Sequence, residues 1–481
     1  MIVLILIQLK LYAMSPILEK FEQQFEGFKA GTITGEEFFN TVSSNLFAPR
    51  GEALVFLKKV HAYAGEREAQ NPEFFGLATI LLCQLAMHEN RLEDGLKLSA
   101  EARRIFTGLN DEDGIALCDT MVGPLYRTLG NIDLALKAVY ASCNTLKASG
   151  NYRFFYTAST YQLAELYTET GAYDRAVAVY EECSRVADQM SHAGFYALAL
   201  DGLAVAYHHI GKQDLAKDAF EKAIARSEGD MFYTQRSRVL SDYGTYWLDE
   251  GDYDRAIDCH RQAMDLRLKA DMLFAAITNM IQIGKAYKLQ NKPTEALGIW
   301  QQALNSAIKI DAKPKISQVH LLLSEFYGEN NDTEKALYHY KAYHTVNEEV
   351  NREDGEKKVK RAEILFAAEQ TEKENAIIKA QKAEIERKNK ELQETIDELT
   401  ITKVSRRAKA LTLAVAVVMI LVEEPIMRMA HHYIGEENFY FSMAAKILIV
   451  LSLKPIDSAI EHFLLSKIIL KKKHAVSMQP T

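Results

Sequence analysis

The chain has 481 residues, a length that predicts about three domains. Its 24 glycines and 9 prolines are few, which favours long uninterrupted helices, and 48% hydrophobic with 25% charged residues excludes global disorder. A net charge of −8 argues against a broadly basic surface, so no nucleic-acid partner is expected.

Five cysteines, Cys83, Cys118, Cys143, Cys183 and Cys259, are spread singly, with no C-x-x-C. That pattern offers neither a disulfide framework nor a zinc site and predicts buried thiols in a reducing compartment. Residues 1–13 are apolar but carry no basic start and no small-residue cleavage site, and Lys10 interrupts them. They are read as an N-terminal extension, with Met14 an alternative start, or as a weak signal. Residues 14–72 read as a helical capping region, with an apolar face at Ile17, Leu18, Phe21, Phe25 and Phe28 and an N-cap at Thr34.

Between residues 73 and 350 a repeat organises the chain. Turn-like segments start at Asn90, Gly130, Gly171, Gly211, Gly251, Asn291 and Asn331, in steps of 40, 41, 40, 40, 40 and 40 residues. Gly and Asn at the first position fit a left-handed residue closing a helix. Seven residues upstream of six of these starts lies a small residue: Gly123, Ala164, Ala204, Gly244, Gly284 and Ser324. Three further on comes an aromatic one: Tyr126, Tyr167, Tyr207, Trp247, Tyr287 and Tyr327, with Ala86 the exception after Cys83. Each unit therefore reads as a helical hairpin whose aromatic residue wedges against its neighbour.

This pattern resembles the tetratricopeptide repeat (TPR) family in a long form, 40 residues per unit where 34 is common. The order of repeat, charged helix and apolar segments is also similar to bacterial membrane-attached TPR signalling proteins, without a recognisable output domain. The resemblance implies an all-α superhelical solenoid of about seven units, with a concave groove that binds a protein or peptide. Aligned on the repeat, the groove is lined by Arg127, Tyr161, Glu165, Asp201, His208, His209, Thr245, Asp249, Lys285, Lys288 and Glu325. The alternative is that these are solvated helix faces. His208 and His209 point about 100° apart on a helix and have no completing ligands, so no metal is expected.

Residues 351–409 hold 15 basic and 13 acidic residues with no proline, a long charged helix. Ile364, Thr371, Ile378, Ile385, Leu392 and Leu399 recur every seventh position, with Asn389 and Ile396 on a companion stripe. A homodimeric coiled coil is expected through Ile378, Ile385, Asn389, Leu392, Ile396 and Leu399; a solitary helix held by i,i+4 ion pairs is the alternative.

Residues 410–430 and 439–454 read as a two-span membrane hairpin, with Glu423 and Glu424 offset by Lys446 and Lys454. Residues 455–473 follow as an amphipathic basic helix. Basic flanks on both sides place the array in the cytoplasm, on the inner membrane. Nothing resembles a phosphate loop, a zinc-protease helix or a nucleophile elbow, so neither enzyme activity nor a cofactor is expected. The expected function is a membrane-tethered, non-catalytic TPR adaptor. The alternative is a soluble peptide-responsive regulator whose C-terminal apolar helices pack in a dimer.

Overall fold

The computed structural model describes residues 16–44, 50–227, 233–434 and 439–476. Among them every regular element is an α-helix. The apolar stretch at 1–13 lies outside the described residues. The chain divides into two compact units, Met1–Asn375 and Ala376–Thr481.

The first unit opens with α1 (Pro16–Lys29), α2 (Gly35–Ser44) and α3 (Arg50–Gly65). Thr34 caps α2: its hydroxyl accepts from Glu37 N–H at 3.1 Å while Glu37 accepts from Thr34 N–H at 2.7 Å. Phe21, Phe25, Phe38, Phe39 and Leu57 are fully buried. Phe28 stacks on Phe74 with ring centroids 4.0 Å apart, so the apolar end of the array is covered. The 40-residue template stops here: Val55, forty residues before Gly95, is large and 72% exposed.

Helical hairpins follow. They pair α4 (Pro72–His88) with α5 (Leu92–Leu109), α6 (Glu112–Thr128) with α7 (Ile132–Ser149), and α8 (Arg153–Glu169) with α9 (Tyr173–Gln189). Next come α10 (Ala193–His209) with α11 (Gln213–Arg226), α12 (Tyr233–Asp249) with α13 (Tyr253–Lys269), and α14 (Leu273–Leu289) with α15 (Pro293–Lys309). Finally α16 (Lys313–Glu329) pairs with the first turns of α17 (Thr333–Ile434). All seven turn residues, from Asn90 to Asn331, have φ between 56° and 84°. The N–H after each turn residue donates to the carbonyl five residues back, as from Lys292 to Tyr287 at 2.9 Å, which closes the first helix. A second left-handed set ends the second helices at Asn110, Gly150, Ser191, Asp271 and Asp311, which the repeat analysis does not anticipate.

The small positions admit a large side chain from the second helix. A Cβ on Gly284 would sit 2.1 Å from Trp300 Nε1, and one on Gly123 would sit 2.3 Å from Val139 Cγ2. Trp300 is 1% exposed and donates to the Ile281 carbonyl at 3.2 Å. The aromatic wedges differ among themselves: Tyr207 and Trp247 are buried, whereas Tyr126, Tyr167, Tyr287 and Tyr327 are half-buried. Their polar edges reach the preceding hairpin: Tyr207 donates to Glu181 at 2.7 Å, and Tyr287 accepts from Arg261 at 3.0 Å. All five cysteines are free and buried.

In the second unit Val404, Ala408, Thr412 and Ala416 are buried at i+4 spacing along α17. Thr412 Oγ1 lies 2.9 Å from Asp457 Oδ1 on α18 (Phe439–Val476). α17 continues through Pro425 and α18 through Pro455, so neither proline ends a helix.

Among the described residues no helix is long and apolar enough to cross a membrane. This corrects the expected two-span hairpin, the intramembrane role of Glu423, Glu424, Lys446 and Lys454, and the inner-membrane placement with the array facing the cytoplasm. The reason is length: the uncharged run Ala410–Val422 has thirteen residues. It rises only about 20 Å against a hydrocarbon core of about 30 Å. Beyond it, Glu424 pairs along its own helix with Arg428 at 3.2 Å, both 77% exposed, rather than with a lysine of the second segment. Lys454 is exposed, and the Lys446 side chain lies outside the described residues.

Gly284→Val is expected to destabilise the array by at least about 1–3 kcal/mol through overpacking against Trp300. Gly298→Ala, where an added Cβ meets nothing within 4 Å, is expected to stabilise it by up to about 1 kcal/mol. Urea melts of the two variants check the pair; equal effects would contradict the interlock.

Candidate functional site

The first helices of successive hairpins lie side by side, and four of them, α6, α8, α10 and α12, enclose a cavity of about 370 Å³. Six of the residues expected in the groove line it: Arg127, Glu165, His208, His209, Thr245 and Asp249. Tyr161 is buried beside it and donates to Glu165 Oε1 at 2.7 Å. Asp201 is fully buried behind it. Lys285, Lys288 and Glu325 lie outside this cavity, with Lys288 paired to Glu329 at 2.8 Å.

An ion network organises the floor. Arg127 donates to Glu165 at 2.5 Å and to Glu169 at 2.7 Å, joining α6 to α8. Arg238 on α12 donates to the other Glu165 oxygen at 2.9 Å, across two hairpins. Its Nε also lies 3.2 Å from Asp201 and 3.8 Å from Asp242. Burial alone would push Glu165 up, but Arg238, the Tyr161 hydroxyl and Arg127 outweigh it and hold the carboxyl below its ordinary value. Asp201 goes the other way: burial, then the nearby Asp242 carboxylate, push it well above the usual range. Neither Asp201 oxygen makes an aligned hydrogen bond.

The rim is held by aromatic and imidazole groups. His208 bonds Gln213 at 2.9 Å and Asp249 at 3.3 Å, and His209 stacks on Tyr173 with centroids 4.4 Å apart. The two rings thus have separate partners. Among the described residues no group of three His, Cys, Asp or Glu side chains could hold a metal ion.

Arg238 and Asp242 escape the sequence reading, although they tie the network together. A signal existed at Arg238: in the units before it the same register holds Leu117, Ala158 and Leu198. A guanidinium where the preceding units place apolar side chains marks a departure from packing, and the two later units also carry polar residues there, Thr278 and Gln318. A larger cavity of about 670 Å³ lies apart from this network, between α5, α6, α7 and residues 360–367 of α17. Ile364 and Leu365 pack there against Leu96, Val122 and Leu125.

Because its native acidity is weakened, Asp201 stabilises the fold most below its ordinary value of about 4. That contribution is lost as pH rises through the raised native value. Asp201→Asn keeps the shape and cannot ionise. Between pH 5 and pH 8 the wild-type chain is expected to lose more stability in urea melts than the variant; an equal loss would contradict the assignment.

Comparison with known proteins bears on the fold. The tetratricopeptide repeat family model matches residues 156–229, the stretch from α8 through α11 that carries Tyr161, Glu165, Asp201, His208 and His209. No curated protein sequence matches the chain. Among solved structures, apo RapI is 10% identical, covering 58% of this chain and 99% of its own, with a TM-score of 0.46. The apo quorum sensor NprR from B. thuringiensis is 12% identical, covering 65% and 97%, with a TM-score of 0.48. A Rap protein complexed with competence and sporulation factor is 12% identical, covering 70% and 98%, with a TM-score of 0.44. The chain is a TPR-like helical repeat protein whose residues 156–229 match the tetratricopeptide repeat family.

Proposed function

We propose that this protein is a non-catalytic, peptide-responsive repeat regulator that seats a cationic group of its ligand in the cavity of α6, α8, α10 and α12. One observation carries the reading: four carboxylates, Glu165, Glu169, Asp242 and Asp249, line a cavity that holds two guanidiniums, Arg127 and Arg238. Glu165 and Glu169 are hydrogen-bonded to those guanidiniums. Asp242 stands 3.8 Å from Arg238, and Asp249 has the His208 ring at 3.3 Å. These two are the acceptors a lysine side chain, an arginine side chain or a peptide amino terminus would reach. An ammonium 4 Å from one carboxylate gains about 4 kcal/mol of Coulomb energy at a near-surface dielectric, before desolvation is subtracted. Lys285 and Lys288, on the next first helix, suit an acidic residue further along the same ligand.

The test uses pools of pentapeptides fixed as Lys or Gln at one position and randomised at the others. Calorimetry on the wild-type chain should show the Lys pool binding at least about tenfold tighter, a difference of about 1.4 kcal/mol. In the Asp242→Asn, Asp249→Asn double variant the preference should vanish. Equal affinity of the wild-type chain for both pools contradicts the reading.

A second element of the proposal is self-association through α17. Ile378, Ile385, Leu392, Ile396 and Leu399 are between 45% and 64% exposed, and Asn389 is exposed on the same helix. Leu413, Leu421, Leu448 and Leu451 are each 68% exposed in the same unit. Such apolar exposure suits packing against a second copy. Sedimentation of the full chain should report a dimer, and Ile385→Glu with Leu392→Glu should shift it to monomer. A wild-type monomer at micromolar concentration would remove this element and leave the peptide site untouched.

A further inference from the structure

The last hairpin is closed by two imidazoles. His320 on α16 and His339 on α17 place their Nδ1 atoms 2.9 Å apart, and the residues are 8% and 7% exposed. At the same register in the two preceding hairpins stand Met280 with Ile299 and Leu240 with Cys259, both without an ordinary charge. Met280 and Leu240 are 2% and 3% exposed, so the position belongs to the packed seam between first and second helices. The seventh unit has placed a titratable pair where its neighbours place packing.

A contact of 2.9 Å between two Nδ1 atoms exists only if one carries hydrogen and the other offers a lone pair. Once both rings are protonated, two N–H groups and two positive charges face each other inside the seam. The surroundings give them little relief. Tyr327 of α16 stacks on His339 at 5.5 Å, and Tyr338 of α17 meets it edge-on at 5.1 Å. Lys335 of α17 lies over Tyr327 at 5.1 Å and is itself paired with Asp332 at 2.7 Å. α15 contributes Trp300, Ala303 and Leu304 to the apolar cluster that holds Val319 and Leu323 of α16. Further along α17, His344 faces Glu348 at 3.7 Å, and Lys313 of α16 is paired with Glu349 and Glu353. Among the described residues no carboxylate is paired with either ring of the seam.

We propose that the His320–His339 contact is an acid-sensitive latch that closes the last hairpin by holding α16 to the root of α17. The latch is closed near neutral pH and opens when both rings take up protons, separating α16 from the turns that carry Ala336 and His339. Burial lowers the proton affinity of both rings, and for His320 the neighbouring imidazole lowers it further. The open state therefore binds more protons. The stabilisation is complete above the ordinary imidazole value of about 6.5 and is lost as pH falls below it.

Hydrogen–deuterium exchange of the full chain, corrected for the intrinsic pH dependence of exchange, tests the latch. Protection of peptides within residues 313–347 should fall about tenfold or more between pH 7.5 and pH 5.5, while peptides within α7 keep theirs. The His320→Met, His339→Ile variant, which carries the preceding hairpin's pair, should hold its protection across that range. His339→Gln alone, which cannot be charged, should do the same if the double variant folds poorly. Wild-type protection that does not change with pH, or an equal fall in the variants, overturns the latch.

Discussion

The architecture depends on a single packing constraint repeated along the chain: a large side chain of the second helix enters a place the first helix leaves empty. Trp300 at Gly284 and Val139 at Gly123 show how little room remains, since an added Cβ would meet them at 2.1 Å and 2.3 Å. Interiors packed to crystal-like density tolerate neither a missing nor an added methyl group there without cost. Each interlock sets how closely the helices of one hairpin approach. Successive hairpins then bring their first helices side by side, which is how Arg127, Glu165 and Arg238, far apart in sequence, come within hydrogen-bond distance.

On that scaffold the polar groups follow a different rule. The hairpins around α12 place polar groups where the preceding units place apolar ones: Arg238 stands half-exposed in the register of Leu198, and Asp201 is fully enclosed. Withdrawing these groups from water is tolerated because α6, α8, α10 and α12 share one connected network. The arrangement leaves a surplus of carboxylates, which gives the cavity a sign and hence a class of ligand. Behind it Arg267 donates to Asn279 at 2.6 Å, and burial and Arg267 together push the proton affinity of His260 down to about 4, extending the polar seam into α13 and α14.

The spacing of Gly and Asn made the repeat legible because a left-handed residue after a helix has few alternatives, and all seven positions adopt it. The second set of turns was hidden because Asn110, Gly150, Ser191, Asp271 and Asp311 share a conformation but no common residue type. The wedge positions were visible as aromatics, yet only Tyr207 and Trp247 among them are buried, since burial depends on the neighbouring hairpin as well as the residue. The site was half legible. Groove-facing charges follow from register, whereas the role of Arg238 follows from three partners on α8, α10 and α12 that no local pattern connects. The C-terminal apolar runs misled for a simple reason: alanine and valine content reads as lipid-facing, but charged residues bound Ala410–Val422 at thirteen residues.

The most direct test of the central claim is a structure of the full chain bound to a member of the lysine-fixed pentapeptide pool. The lysine nitrogen is expected within about 4 Å of the Asp242 or Asp249 carboxylate, a distance at which opposite charges attract appreciably, with Arg127 and Arg238 still bound to Glu165. A peptide seated elsewhere on the array, with this cavity holding no part of it, would contradict the account.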